Sequence, residues 1–274
     1  EMLRGLDVLV FVMQAAGARI YTFVYTMANC LRAAARHMIP VIVCDRPNPI
    51  GGAAVEGPML EPGYEAFVGL FPIPMRHGMT IGELAALFNT RFGIGADLHV
   101  VEMEGWSRAM YFDDTGLPWV IPSPNMPTLD SAIVYPGAVL FEGTQLSEGR
   151  GTTRPFEMLG APWIDAERFS ANLNALELPG AHFRPVMFEP TFHKHAREAC
   201  GGCQIHVTRR EAFLPVLASV AVMAEFHRAN PGRFAWRQPP YEYEHDKMPI
   251  DILAGSPALR EQIESGIGAR EIAA

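Results

Sequence analysis

Hydrophobic and polar positions along the chain change period several times, and the changes mark the elements. Residues 6–13, LDVLVFVM, form a nearly continuous apolar run of the kind that builds a buried strand. A helical pattern then reaches to about His37, with Leu31, Ala34 and Ala35 at helical spacing. Pro40 introduces Val41-Ile42-Val43-Cys44, a short apolar run of the type found in parallel sheets, which ends in Asp45-Arg46-Pro47-Asn48-Pro49. Strand, helix, strand is a βαβ unit. Ligands of open α/β sheets sit beyond the carboxyl ends of the strands, so residues 14–21 and 45–56 are expected on one functional edge.

From residue 45 to residue 79 the chain is rich in Gly and Pro and reads as one long loop, a feature that compact domains usually put to use. Thr80-Ile81-Gly82-Glu83 fits a capping box at the head of a helix running to about Phe92. Residues 97–102 alternate as a strand, and a soft boundary falls near residue 103. Beyond it, the pattern predicts helices at 129–134, 165–176 and 213–230, and strands at 139–142, 182–188 and 204–208. A polar loop spans residues 143–155. The last of these helices is the longest, with Leu214, Leu217, Val220, Ala221 and Ala224 on one face. No internal repeat or low-complexity tract interrupts the chain.

Composition narrows the class. The 274 residues are 49% hydrophobic, with 22 Lys and Arg against 30 Asp and Glu and a formal net charge of −8. That apolar content excludes disorder, no run is long enough to span a bilayer, and no basic stripe is present to neutralise nucleic-acid phosphates. Four Cys do not make a disulfide framework. The chain opens at Glu1 rather than Met and meets a buried-strand pattern within a few residues, so it reads as a segment of a longer protein.

Three clusters could carry chemistry. The loop 45–56 gathers Asp45, Arg46, Asn48 and Glu56 among glycines that let a backbone approach a ligand; the plain alternative is a solvated surface loop. Residues 143–154, GTQLSEGRGTTR, combine hydroxyls, glycine N–H groups and two Arg side chains suited to gripping a carboxylate or phosphate, or else pair those Arg with nearby acids. His193-Lys194-His195, Cys200-x-x-Cys203 and His206 have spacing that zinc could use, although His206 sits in a strand pattern that could turn it into the core. Cys30 and Cys44 read as small buried apolar residues. Tyr21, Trp106, Trp119, Tyr135 and Trp163 lie beside polar segments, where rings serve either as core or as sugar-stacking platforms. Serine-hydrolase elbows and zincin helices are absent from the sequence.

Several strings, taken in order, resemble the NamZ (YbbC-like) family of exo-β-N-acetylmuramidases. They are Gly17-Ala18-Arg19-Ile20-Tyr21-Thr22, Asp45-Arg46-Pro47-Asn48-Pro49, Val55-Glu56-Gly57-Pro58, residues 77–84 (HGMTIGEL), residues 122–127 (PSPNMP), residues 142–153 and residues 249–256 (PIDILAGS). The resemblance implies an α/β protein, with an incomplete Rossmann-like N-terminal domain (residues 1–103) followed by a smaller α/β C-terminal domain (residues 104–274) and an active site in the cleft between them. It implies an enzyme that releases N-acetylmuramic acid from the non-reducing end of peptidoglycan fragments, secreted or periplasmic in its full-length form. Muramyl glycans are then the ligands, with no cofactor, no metal and no nucleic acid.

Glycoside hydrolysis uses two carboxyl groups across the scissile bond, or one with a substitute partner. By resemblance Glu56 is one, and the other lies in a Glu-His-Gly segment upstream of residue 1. Arg19, Tyr21, Arg46, Asn48, His77, Asn125, Glu148 and Thr152 are expected to shape the substrate site. Arg150 and Arg154 would hold the lactyl carboxylate that distinguishes muramic acid from glucosamine. Val12 and Ala15 stand where family members carry acids, a departure that favours a non-catalytic peptidoglycan-fragment binder as the rival reading. A zinc hydrolase built on His193, His195 and Cys200 is a third.

Overall fold

In the computed structural model, residues 3–268 are described. Strand β1 (Leu9–Phe11) leads to helix α1 (Phe23–His37) and strand β2 (Val41–Cys44). Met38 ends α1 in a left-handed conformation, with its N–H on the Ala34 and Ala35 carbonyls. The long Gly/Pro-rich segment is not wholly irregular. It holds an antiparallel ribbon of β3 (Glu56–Met59) and β4 (Pro74–Arg76), which pairs Glu56 with Arg76. Helix α2 (Ile81–Thr90) follows, and its Thr80–Glu83 capping box forms as the sequence predicts. Strand β5 (Leu98–Val101) completes a parallel sheet in the order β1-β2-β5. Val24, Leu31, Val41, Val43, Leu84 and Phe88 form the core between this sheet and its helices, all fully buried.

The remainder builds a second, larger core. Helix α3 (Leu129–Ala138) runs into a 3-10 turn at Val139–Gly143, where a strand is expected from the apolar run; the turn is closed by Thr144, which donates to the Phe141 carbonyl. Next come β6 (Met158–Ala161), α4 (Ala166–Asn174), β7 (Ala181–Phe188) and β8 (Cys200–Val207), which form an antiparallel sheet in the order β6-β8-β7. Helices α5 (Pro215–Ala229), α6 (Pro249–Ala254) and α7 (Ala258–Glu264) finish the described chain. Helices α3 and α5 meet so closely that a Cβ on Gly137 would lie 2.0 Å from the Pro215 carbonyl oxygen. No helix among the described residues is long and apolar enough to cross a membrane.

The two cores are joined through the chain's early residues. Ala16, Ala18, Ile20, Tyr21, Ile50 and Met75 belong to the second core although they precede it in sequence. Residues 58–69 also meet the end of the chain: Glu61 N–H donates to the Gly255 carbonyl, and Phe67 sets its edge against Tyr243 at 5.8 Å.

Candidate active site

The expected functional edge does come together at the ends of β1 and β2. Gln14 Nε2 donates to the Pro47 carbonyl at 2.8 Å, and Arg46 Nε donates to Gln14 Oε1 at 3.0 Å. Gly17 has φ +77°, and a Cβ there would stand 2.5 Å from Asn48 Oδ1, so only glycine permits this approach. Asn48 is buried, donating to the Met79 carbonyl and accepting from Ile50 N–H. Buried His77 accepts from Met79 N–H at Nδ1, and burial lowers its pKa to about 4, which keeps it neutral. Asp45 accepts from the N–H groups of Arg46 and Gly82 and from Thr80 Oγ1, pinning β2 to the head of α2. These polar groups hold loops in place. Arg46 also lines a shallow groove of about 410 Å³ with Asp45 and Trp106.

Arg19 and Glu56 have structural partners too. Arg19 is fully buried and donates to the carbonyls of Pro58, Ile73, Leu253 and Ala254, clamping the β3–β4 ribbon to the end of α6. Burial lowers its pKa only to about 10, so it stays charged inside the protein. With the guanidinium buried against four carbonyls, no side of it faces solvent. Glu56 Oε1 accepts from Leu217 N–H at 2.8 Å in the first turn of α5. Leu214 occupies the cap position and has no oxygen to offer, so Glu56 supplies the cap from another element. Glu56 Oε2 is buried without a partner. Desolvation raises the Glu56 pKa, against the opposing effects of the Leu217 and Val216 N–H groups and the Arg76 charge.

A different set of charges converges on the 3-10 turn, the loop after it and residues 192–195. Fully buried Glu148 accepts from Lys194 Nζ at 2.7 Å through Oε2, while Oε1 lies 3.2 Å from both Arg150 Nε and His193 Nδ1. Lys194 Nζ also donates to the Phe141 and Leu146 carbonyls. Burial would raise the Glu148 pKa, but the His193 and Lys194 contacts outweigh it and hold it at about 2. Arg150 reaches on to Glu142 Oε1 at 2.5 Å, and Tyr241 Oη donates to Glu142 Oε2 at 2.7 Å. Glu142, Arg150, His193, Arg237, Tyr241 and Tyr243 are among the residues that line a groove of about 580 Å³.

Of the expected site residues, Glu148 and Arg150 belong to this cluster, and Tyr21 reaches it through aromatic contacts. The buried Tyr21 ring meets Tyr135 edge-on at 5.9 Å, Tyr135 meets Phe156 at 4.9 Å, and Arg150 stacks over Phe156 at 5.0 Å. Burial raises the Tyr21 pKa to about 12. Thr152 closes a local turn by donating to the Gly149 carbonyl. Arg154 pairs with Glu157 and Asp130 and does not line the groove, which takes it away from Arg150. Asn125 is half-buried in the turn before α3.

The zinc reading has no ligand set. Cys200 and Cys203 are three residues apart on β8 and so point to opposite faces; His206 is exposed rather than turned into the core, and His195 Nε2 lies on the Gln145 carbonyl. Among the described residues no three His, Cys, Asp or Glu side chains are placed to hold a metal. Cys30 and Cys44 are half-buried. Glu142, His193, Arg237, Tyr241 and Tyr243 are among the groove residues that spacing did not assign to a sugar site. Glu142 opens the 142–153 string and His193 stands in the His-Lys-His run, while Tyr241 and Tyr243 fall in the Pro239-Pro240-Tyr241-Glu242-Tyr243 string, aromatic and acidic in a proline-stiffened loop.

Comparison with known proteins places this geometry in a family. A model of the N-terminal part of the exo-β-N-acetylmuramidase NamZ matches residues 1–130, and a model of its C-terminal part matches residues 133–274. The chain belongs to the NamZ family. It is 50% identical over 272 residues to the peptidoglycan β-N-acetylmuramidase NamZ of Bacillus subtilis strain 168, covering 99% of this chain and 64% of that protein. It therefore spans just under two thirds of that NamZ. Two crystal structures of DUF1343 family proteins from Bacteroides fragilis share its mixed α/β, two-domain fold. One is 37% identical with a TM-score of 0.87, covering 95% of this chain and 68% of that one; the other is 26% identical with a TM-score of 0.78, covering 99% and 71%. In this NamZ-family chain, the two positions where acids are expected differ in setting: Ala15 is buried in the first core, whereas Val12 is exposed.

Proposed function

We propose that the full-length protein is an exo-acting β-N-acetylmuramidase of peptidoglycan turnover, secreted or periplasmic, which releases N-acetylmuramic acid from the non-reducing ends of glycan fragments. The observation that carries this reading is the 50% identity, along 99% of the chain, to a protein named for that activity. In this reading, the parallel β1-β2-β5 layer is the end of a Rossmann-like domain and substrate enters the groove at Glu142 and Arg150.

Glu142 is the carboxylate we assign to the reaction in this chain. Its side chain is 14% exposed, it lines the groove, and its two oxygens are held by Arg150 and Tyr241, an arrangement that fixes the carboxyl where it can face the positive charge that develops at the anomeric carbon. Glu56, held at the α5 N-terminus, caps a helix instead. Arg150 and Arg237 recognise the lactyl carboxylate. Arg237 stacks on Tyr241 at 5.2 Å and has no acidic side-chain partner among the described residues, so it can take the place expected for Arg154.

Turnover of a chromogenic β-N-acetylmuramide by the full-length protein, set against its N-acetylglucosamine analogue, tests this reading. The muramide alone is expected to turn over, and Arg237→Ala should erode the preference. Equal rates on both sugars contradict the carboxylate recognition, and binding of a muramyl disaccharide without hydrolysis supports the binder reading favoured by Val12 and Ala15.

A further inference from the structure

The rim of the groove carries aromatic surface that neither core uses. Tyr243 is 84% exposed and Phe192 is 54% exposed, and both line the groove whose floor holds the Glu142–Arg150 pair. Exposed apolar surface gathered at a polar-rimmed groove is a feature of ligand-binding sites.

The backbone beneath Tyr243 is unfavourable for its sequence. Tyr241 and Glu244 exchange two hydrogen bonds, Tyr241 N–H to Glu244 O at 2.8 Å and Glu244 N–H to Tyr241 O at 2.9 Å. The two residues between them, Glu242 and Tyr243, have φ of 45° and 68°. A two-residue loop with both φ positive ordinarily takes Asn and Gly, because a Cβ is strained there. Here it carries a bulky aromatic at its tip. The loop is nevertheless fixed from several sides: Tyr241 Oη donates to Glu142, Glu244 Oε1 accepts from the N–H groups of His245 and Asp246, and the edge contact with Phe67 steadies the Tyr243 ring. A side chain held outward on strained, well-supported backbone is a feature of binding sites.

We propose that Tyr243, backed by Phe67 and lining the same groove as Phe192, is the stacking platform for the saccharide that leaves, on the reducing side of the cleaved bond. This rests on the muramidase reading above. The depth of the groove argues for that assignment. The cations that suit an acidic sugar, Arg150 and Arg237, share the groove with the partly buried Glu142, while the ring lies almost wholly in solvent at the edge. A neutral sugar presents an apolar C–H face, which a ring can cover without any charged partner.

The test uses full-length protein, the muramyl–glucosamine disaccharide, and methyl β-N-acetylmuramide, whose leaving group is too small to reach the rim. Tyr243→Ala is expected to lower kcat/KM for the disaccharide about tenfold, mostly through KM, and to leave the methyl glycoside unchanged. Tyr243→Trp should restore the disaccharide value. An unchanged disaccharide value, or an equal loss on both substrates, overturns the platform. If the wild type turns over neither substrate, the muramidase reading fails separately; calorimetric binding of the disaccharide then decides the platform, which predicts a tenfold weaker Kd for Tyr243→Ala and is overturned by an unchanged one.

Discussion

Glu56 and Glu148 are both carboxylates withdrawn from water, yet the protein treats them oppositely. Around Glu148 burial is accompanied by Lys194, His193 and Arg150, and the carboxyl is held at about 2. Around Glu56 it is accompanied by the N–H groups at the α5 N-terminus and a more distant Arg76, and the carboxyl is raised above its ordinary value. Partial charges at a helix end offset only part of the desolvation that full charges overcome. The difference separates a structural cap from a charged cluster beside a groove.

The largest effect is expected where the cluster is broken. Glu148→Gln leaves Lys194 buried without its counter-ion and should cost about 3–5 kcal/mol of folding stability at neutral pH, read from denaturant midpoints. A cost below about 1 kcal/mol would mean that Lys194 finds another way to be satisfied.

The pH dependence of stability sharpens the same contrast. Glu148 has a folded pKa below its unfolded value, so its contribution is complete above about pH 5 and lost as pH falls toward about 2. Glu56 has a raised folded pKa, so its contribution is complete below its ordinary value and lost as pH rises through the folded value. Glu148→Gln should therefore flatten the acid limb of the stability curve, and Glu56→Gln the rise in its cost above the ordinary carboxylate range. Identical limbs in wild type and both variants would remove the contrast.

Smaller changes test the cap and the clamp on Glu142. Glu56→Ala strips the α5 cap and should cost about 1–2 kcal/mol, whereas Glu56→Gln keeps an acceptor and should stay within about 1 kcal/mol of wild type. Tyr241→Phe removes the hydroxyl that donates to Glu142 and should cost about 1 kcal/mol, measured by thermal unfolding.

Local signals made part of this legible from sequence alone. Thr80 and Glu83 announce α2 because both halves of the capping box lie within four residues, and Val41-Ile42-Val43-Cys44 marks a strand through a short β-branched run. The apolar Val139-Leu140-Phe141 run does not distinguish a strand from a buried turn, and continuation from α3 makes it a 3-10 turn. Glu56-Gly57-Pro58-Met59 lacks strand alternation and pairs only because a distant segment returns beside it. The site divides in the same way. A Gly-rich polar loop pointed to Arg150 and Arg154, and the family resemblance to Glu148, but the partners that give Glu148 and Arg150 meaning, Lys194 and His193, lie more than forty residues on. The role of Glu56 depends on Leu217, 161 residues away, which no local pattern reveals.

One comparison bears most directly on the central claim that the Glu142 groove, rather than the Glu56 loop, is where this chain takes part in hydrolysis. Full-length wild type, Glu142→Gln and Glu56→Gln should be assayed together on a chromogenic β-N-acetylmuramide, with folding checked by circular dichroism. Loss of kcat by about 100-fold or more in Glu142→Gln, with Glu56→Gln within a few-fold of wild type, is the predicted result. Full activity in Glu142→Gln beside an inactive, folded Glu56→Gln would contradict it.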